Sequence, residues 1–183
     1  MKPPADPEAA RKALIAVLQN AYSGEYAASL AYDGHAKSVS DPEEKREIRL
    51  ILDQELEHRE FVGKMLAGLG SGPDPRKERV MALVGATISA LCRLGGWFIP
   101  MYGAGKLEAG NIVEYEIAAS LAAAAGRPEL VECLLHMAEV EWDHELYFRL
   151  KAGQSIWSRV LPIWPAPPPR AEIRRATSSG EAA

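Results

Sequence analysis

The chain has 183 residues, 48% of them hydrophobic and 25% charged, with 21 Lys+Arg set against 25 Asp+Glu. That balance describes one or at most two folded domains and excludes a disordered or collagen-like polypeptide. A formal net charge of -4, with only the short basic pairs Arg11-Lys12 and Arg174-Arg175, offers no electrostatic footprint for nucleic acid. The two cysteines, Cys92 and Cys133, sit far apart in apolar surroundings and read as reduced, packed thiols of a cytosolic protein. The N-terminal Met-Lys-Pro-Pro-Ala-Asp-Pro lacks the apolar core of a signal peptide, so a cytoplasmic location is expected.

Leu14, Leu18, Ala21, Tyr22 and Tyr32 recur at helical spacing, and Pro7 follows an Asp at a first-turn position. This predicts a long amphipathic helix from Asp6 to about Val39. Ser40-Asp41-Pro42-Glu43 is a capping-box pattern, behind which Ile48, Ile51, Leu52, Val62, Met65 and Leu66 keep the 3.6-residue period until Gly68. Gly70 to Pro75 breaks the pattern. Val80 to Gly105 then carries a single charge, Arg93, in an apolar run interrupted by Gly85, Gly95, Gly96 and Pro100. A helix is predicted from Lys106 to Ala125, a break at Gly126-Arg127-Pro128, and another amphipathic helix from Glu129 to about Lys151. Strand signals are absent. Pro165 to Ala183 turns to Pro, Ala, Arg and Ser, the composition of a disordered tail. The expected fold is all-α: two antiparallel hairpins, turning near Ser40 and near Arg127, joined by a long crossover over about 76–105 into a four-helix bundle spanning 1–164.

Charged groups inside apolar stripes carry the chemistry of such a bundle, because a buried carboxylate needs a cation or a proton. Glu25 continues the stripe of Leu14, Leu18 and Ala21. Glu55 and His58 share one face of the second helix, Glu114 lies between Leu107 and Leu121, and Glu141 and His144 repeat the Glu-x-x-His spacing in the last helix. Glu25 and Glu55 are equidistant from Ser40, and Glu114 and Glu141 are within one residue of equidistance from Arg127, so each hairpin brings its pair together. One Glu from each of two helices and one Glu-x-x-His from each of the others is the ligand pattern of ferritin-like di-iron or di-manganese proteins. Four carboxylates and two imidazoles match two divalent first-row ions with positions left for oxygen or water. Glu55 and Glu141 are expected to bridge the ions, with Glu25, Glu114, His58 and His144 as terminal ligands. Glu108 is a rival to Glu114; Glu116 and Glu139 should point away, and Glu145 is expected at the surface. His35 and His136 have no matching partner and read as ordinary histidines.

At these same residues the chain resembles the demethoxyubiquinone hydroxylase family of ferritin-like di-iron monooxygenases. Ser23-Gly24-Glu25-Tyr26-Ala27 is similar to the family's Ala-Gly-Glu-Tyr-Gly, and Asp53-Gln54-Glu55-Leu56-Glu57-His58 to its Asp-Gln-Glu-x-x-His. Gly105-Lys106 and Val113-Glu114-Tyr115-Glu116-Ile117-Ala118 resemble its third-helix motif, and Glu141-Trp142-Asp143-His144 its last. The resemblance runs from about Ala21 to Phe148 and carries the ligand roles over to Glu25, Glu55, His58, Glu114, Glu141 and His144. It implies two iron ions, with manganese as the alternative, dioxygen as co-substrate, an external reductant such as NADH, and hydroxylation of a prenylated quinone precursor in ubiquinone biosynthesis. It also implies a homodimer or small homo-oligomer and peripheral contact with the cytoplasmic face of the inner membrane through Met81–Ala104, with Trp97, Phe98, Trp157 and Trp164 as an interfacial belt; the alternative for that segment is a crossover helix packed on the bundle or in a dimer interface. Two departures stand out. The family's His-His-Tyr run, tied to electron or proton delivery, is here Ala119, Ser120 and Leu121, and its further C-terminal helices shrink to a short segment before the Pro-rich tail. The competing function is an iron-binding protein or ferroxidase resembling rubrerythrins and bacterioferritins.

Overall fold

A computed structural model of the chain describes residues 3–175. Among them there is no strand. Six α-helices follow one another: α1 Pro7–Ser38, α2 Pro42–Gly68, α3 Pro75–Cys92, α4 Phe98–Ala124, α5 Val131–Gln154 and α6 Arg170–Ile173, with 3-10 turns at Pro128–Leu130 and Ile156–Arg159. None is long and apolar enough to cross a membrane.

Helix starts follow from two Asp-Pro pairs. Asp41 accepts from the N–H groups of Glu43 and Glu44, and Asp74 from those of Arg76 and Lys77, each with proline at the first helical position, where its missing N–H leaves no intrahelical bond unmade. Asp41, rather than Ser40, is thus the cap of α2. Gly70 (φ 68°) and Gly126 (φ 70°) adopt the left-handed conformation that closes α2 and α4, with Ser71 N–H reaching Leu66 O and Arg127 N–H reaching Ala122 O, both at 2.9 Å. The fourth helix begins eight residues before the expected Lys106, at Phe98. Pro100 lies in its first turn, Gly95 and Gly96 (φ 65°) form the break before it, and Gly85 is carried inside α3.

Cα packing divides the chain into two compact units, one over Ile15–Pro100 and the other formed by the remaining described residues. In the 15–100 unit α1 and α2 are antiparallel: Gly63 faces Tyr22, while the Arg59 guanidinium lies 4.4 Å from the Tyr22 ring centre and 4.2 Å from that of Tyr26. Arg59 also pairs with Glu78 of α3 at 2.5 Å, tying three helices at one point. α3 packs on α1 through backbone. A Cβ at Gly85 would stand 2.6 Å from the Ala27 carbonyl oxygen, and one at Gly34 would overlap Ser89. With its small residues turned inward, α3 directs Val80, Leu83, Val84 and Leu91 outward, Leu83 being 71% exposed. The apolar run is therefore a solvent-facing stripe. The aromatic belt does not form on it, since Trp97 donates to Glu44 (2.7 Å) and Phe98 is buried.

In the second unit α4 and α5 are antiparallel, with Gly105 against Phe148 and Asn111 reaching Glu141. The segment after α5 runs back along it. Tyr102 Oη donates to Pro162 O (3.0 Å), Trp142 Nε1 to Pro168 O (2.9 Å), Arg170 pairs with Asp143, and Arg174 with Glu139 and Glu132. Ile173 of α6 is buried. The disordered tail expected from Pro165 is thus a packed strap as far as Arg175; residues 176–183 lie outside the described residues. Proline-rich chain is already stiff and extended, so little conformational freedom is lost when indole and guanidinium anchors pin it. Of the four aromatics expected in a belt, Trp157 alone is markedly exposed, at 60%. Cys92 and Cys133 form no disulfide, and burial pushes the Cys92 thiol up.

Candidate metal centre

Each unit gathers two carboxylates and one imidazole. In the first, Glu25 of α1 meets Glu55 and His58 of α2; in the second, Glu108 of α4 meets Glu141 and His144 of α5. In each triad the three side chains offer ligand atoms within 4.8 Å of one another, a span that an ion with bonds of about 2.0–2.4 Å can bridge. All six side chains are 4% exposed or less. Helical periodicity explains the placement: Glu25 sits one turn after Ala21 on the buried stripe, and both Glu-x-x-His pairs put carboxylate and ring on one inward face.

The second triad has an organising amide. Asn111 Nδ2 donates to Glu108 Oε2 (2.9 Å) and lies 3.4 Å from Glu141 Oε2, and His144 Nδ1 is 3.6 Å from the same oxygen. The amide therefore holds the two carboxylates in one orientation before any ion arrives. Sequence reading missed Asn111, although its position one turn after Glu108 was a signal.

Five of the six expected ligands, Glu25, Glu55, His58, Glu141 and His144, are brought into triads. Glu114 is not. It is half-buried and belongs to neither triad, while Glu108 takes the place expected for it. The cause is register. Glycine at 126 centres the turn one residue earlier than Arg127, and the 3-10 turn Pro128–Leu130 lengthens the second arm, so Asn111 rather than Glu114 comes level with Glu141.

Glu145, expected at the surface, is fully buried but occupied: it accepts from Arg149 Nε (2.8 and 3.2 Å) and from Trp164 Nε1 (2.7 Å). Glu139 points away as expected, its carboxyl held below the usual range by Arg174 first and Arg170 after it. Glu116 stands outside both triads, and burial raises its carboxyl. His35 is a packed histidine, stacked on Tyr32 and held down at about 4 by burial, which Glu44 opposes in part; His136 is exposed.

Two oxygens and one nitrogen per triad suit borderline first-row ions such as iron, manganese or zinc, and the absence of thiolate from either triad disfavours soft ions. Each such ion would retain open positions, the requirement for exchange of water, dioxygen or substrate. Comparison of the chain with protein-family models, with curated proteins and with solved structures returns no match.

Proposed function

We propose that each triad holds one divalent first-row ion, iron first and manganese as the alternative, in a ferritin-like metal-carboxylate protein. The observation that carries the proposal is the burial of four carboxylates with two histidines in two groups of identical composition. Carboxylates this close and this buried are expensive to hold without compensating positive charge, and two divalent ions neutralise four of them.

The activity that best suits this site is a dioxygen-dependent hydroxylation of an apolar, quinone-like ring. Bound iron would supply the redox chemistry of dioxygen. One oxygen atom enters a ring C–H bond and the other leaves as water, consuming two electrons and a proton that an external reductant such as NADH would provide as hydride, and a second proton from solvent. The chain's own contribution is to fix the carboxylates, with Asn111 orienting Glu108 and Glu141, and to keep water from the ligands by burying them. The outward apolar stripe of α3 favours a lipid-soluble substrate over free iron as the molecule being processed. α3 is seated on α1 at Ala27, and its outward stripe gives a surface for peripheral membrane contact. With Ala119, Ser120 and Leu121 after the third-helix motif, electrons must enter by a route other than a His-His-Tyr run.

The test is a single turnover. Protein loaded anaerobically with Fe(II) is mixed with labelled dioxygen and a short-chain demethoxyquinone, and the organic product is analysed by mass. Gain of one labelled oxygen per quinone supports hydroxylation. Rapid oxidation of the iron with the quinone unchanged would transfer the protein to the iron-binding or ferroxidase class.

A further inference from the structure

Glu145 lies one helical turn beyond Glu141 on the same face of α5, next to His144, and is fully buried, yet it is not part of the triad. A carboxylate so placed is a ready extra ligand for any cation held by Glu108, Glu141 and His144. Two donors occupy it instead: Arg149 from its own helix and Trp164 from the strap. Trp164 is itself firmly seated. Its ring lies over Gly105, where a Cβ would overlap it and touch Phe148 Cβ at 2.9 Å, and it meets Tyr102 edge to face at 5.2 Å. Gly105 precedes Glu108 by one turn, so the indole is wedged where α4 and α5 present their ligands. The strap around it is fixed by Tyr102 to Pro162, Trp142 to Pro168 and Arg174 to Glu139.

We propose that Trp164 is a positioning residue: through its indole N–H the strap holds Glu145 out of the coordination sphere and so restricts the ion of the α4–α5 triad to Glu108, Glu141 and His144. The inference rests on the metal-binding reading of the triads. Its consequence is that the strap sets the number of open positions on that ion, and thus what else can bind there. The large aromatic fills the Gly105 notch while one polar atom does the restraining, so ring and N–H can be separated by substitution.

The experiment is a Co(II) titration of the full chain followed by visible absorption. Trp164→Phe keeps the ring and removes the N–H. Glu145 is then released towards the ion, and the expected result is weaker d–d absorption, as coordination number rises, with affinity increased about tenfold. Trp164→Phe/Glu145→Gln should return spectrum and affinity to wild type, because an amide is a poor ligand. Arg149→Met, which leaves the strap in place, should shift the spectrum in the same direction as Trp164→Phe and serves if that variant fails to fold. Wild-type spectrum and affinity in both Trp164→Phe and Arg149→Met would overturn the inference, as would a change in Trp164→Phe that persists in the double variant. Failure of the wild-type chain to bind cobalt at all would instead overturn the metal-binding reading itself.

Discussion

Replacing Glu25 with Gln should move stability in opposite directions with and without metal. Glu25 and Glu55 place carboxylate oxygens within 4.8 Å of each other, both buried. At an effective dielectric constant of about 20, two unit charges at that distance repel by about 3 kcal/mol. Glu25→Gln removes one charge and keeps the shape, and the chelated protein should gain about 2–3 kcal/mol, a rise in melting temperature of about 6 °C for a chain of this size. With metal the sign reverses. Loss of an anionic ligand that weakens binding about a hundredfold removes about 2–3 kcal/mol of ligand stabilisation. Thermal unfolding at pH 8, in chelator and in excess Mn(II), gives both values. A variant destabilised equally in both conditions would refute the reasoning, because Glu25 would then be an internal structural partner rather than a ligand.

Glu108→Gln should lose the ion of the α4–α5 triad, whereas Glu114→Gln retains it, as elemental analysis after dialysis will register; the reverse pattern would restore Glu114 to the site. Gly85→Ala forces a methyl against the Ala27 backbone and should cost about 1–2 kcal/mol net of its helix-propensity gain, while Gly110→Ala, with nothing within 4 Å, should gain up to about 1 kcal/mol. Urea unfolding of the two variants compares them directly, and a stabilised Gly85→Ala would mean that α3 is not seated on α1 as described. His35 is held down at about 4 in the folded chain against 6.5 when exposed. The unfolded chain therefore binds its proton first, and stability present above pH 6.5 falls by about 3 kcal/mol as pH drops towards 4. Urea midpoints across that interval should slope less in His35→Gln, and parallel slopes would show that another group is responsible.

Much of this was legible because helical periodicity and burial act through the same residues. Leu14, Leu18 and Ala21 announce the stripe on which Glu25 must be buried, and a three-residue spacing fixes Glu55 with His58 and Glu141 with His144 without knowledge of the fold. What failed depended on detail that composition does not hold. Glu114 was preferred to Glu108 because hairpin counting assumes one rise per residue and a turn centred on Arg127, while Gly126 and the following 3-10 turn shift the register by about one helical turn. The strap is not legible because residues 165–175 have the composition of a disordered segment, and only tertiary partners, Glu145 for the preceding Trp164 and Glu139 and Asp143 for the arginines, give it something to hold. Glu145 was assigned to the surface for the same reason.

The most direct measurement of the central claim is the iron content of the anaerobically loaded chain. The two triads predict two irons per chain, one lost in Glu55→Ala and the other in Glu141→Ala. One iron per chain, or full retention of iron in both variants, would contradict it.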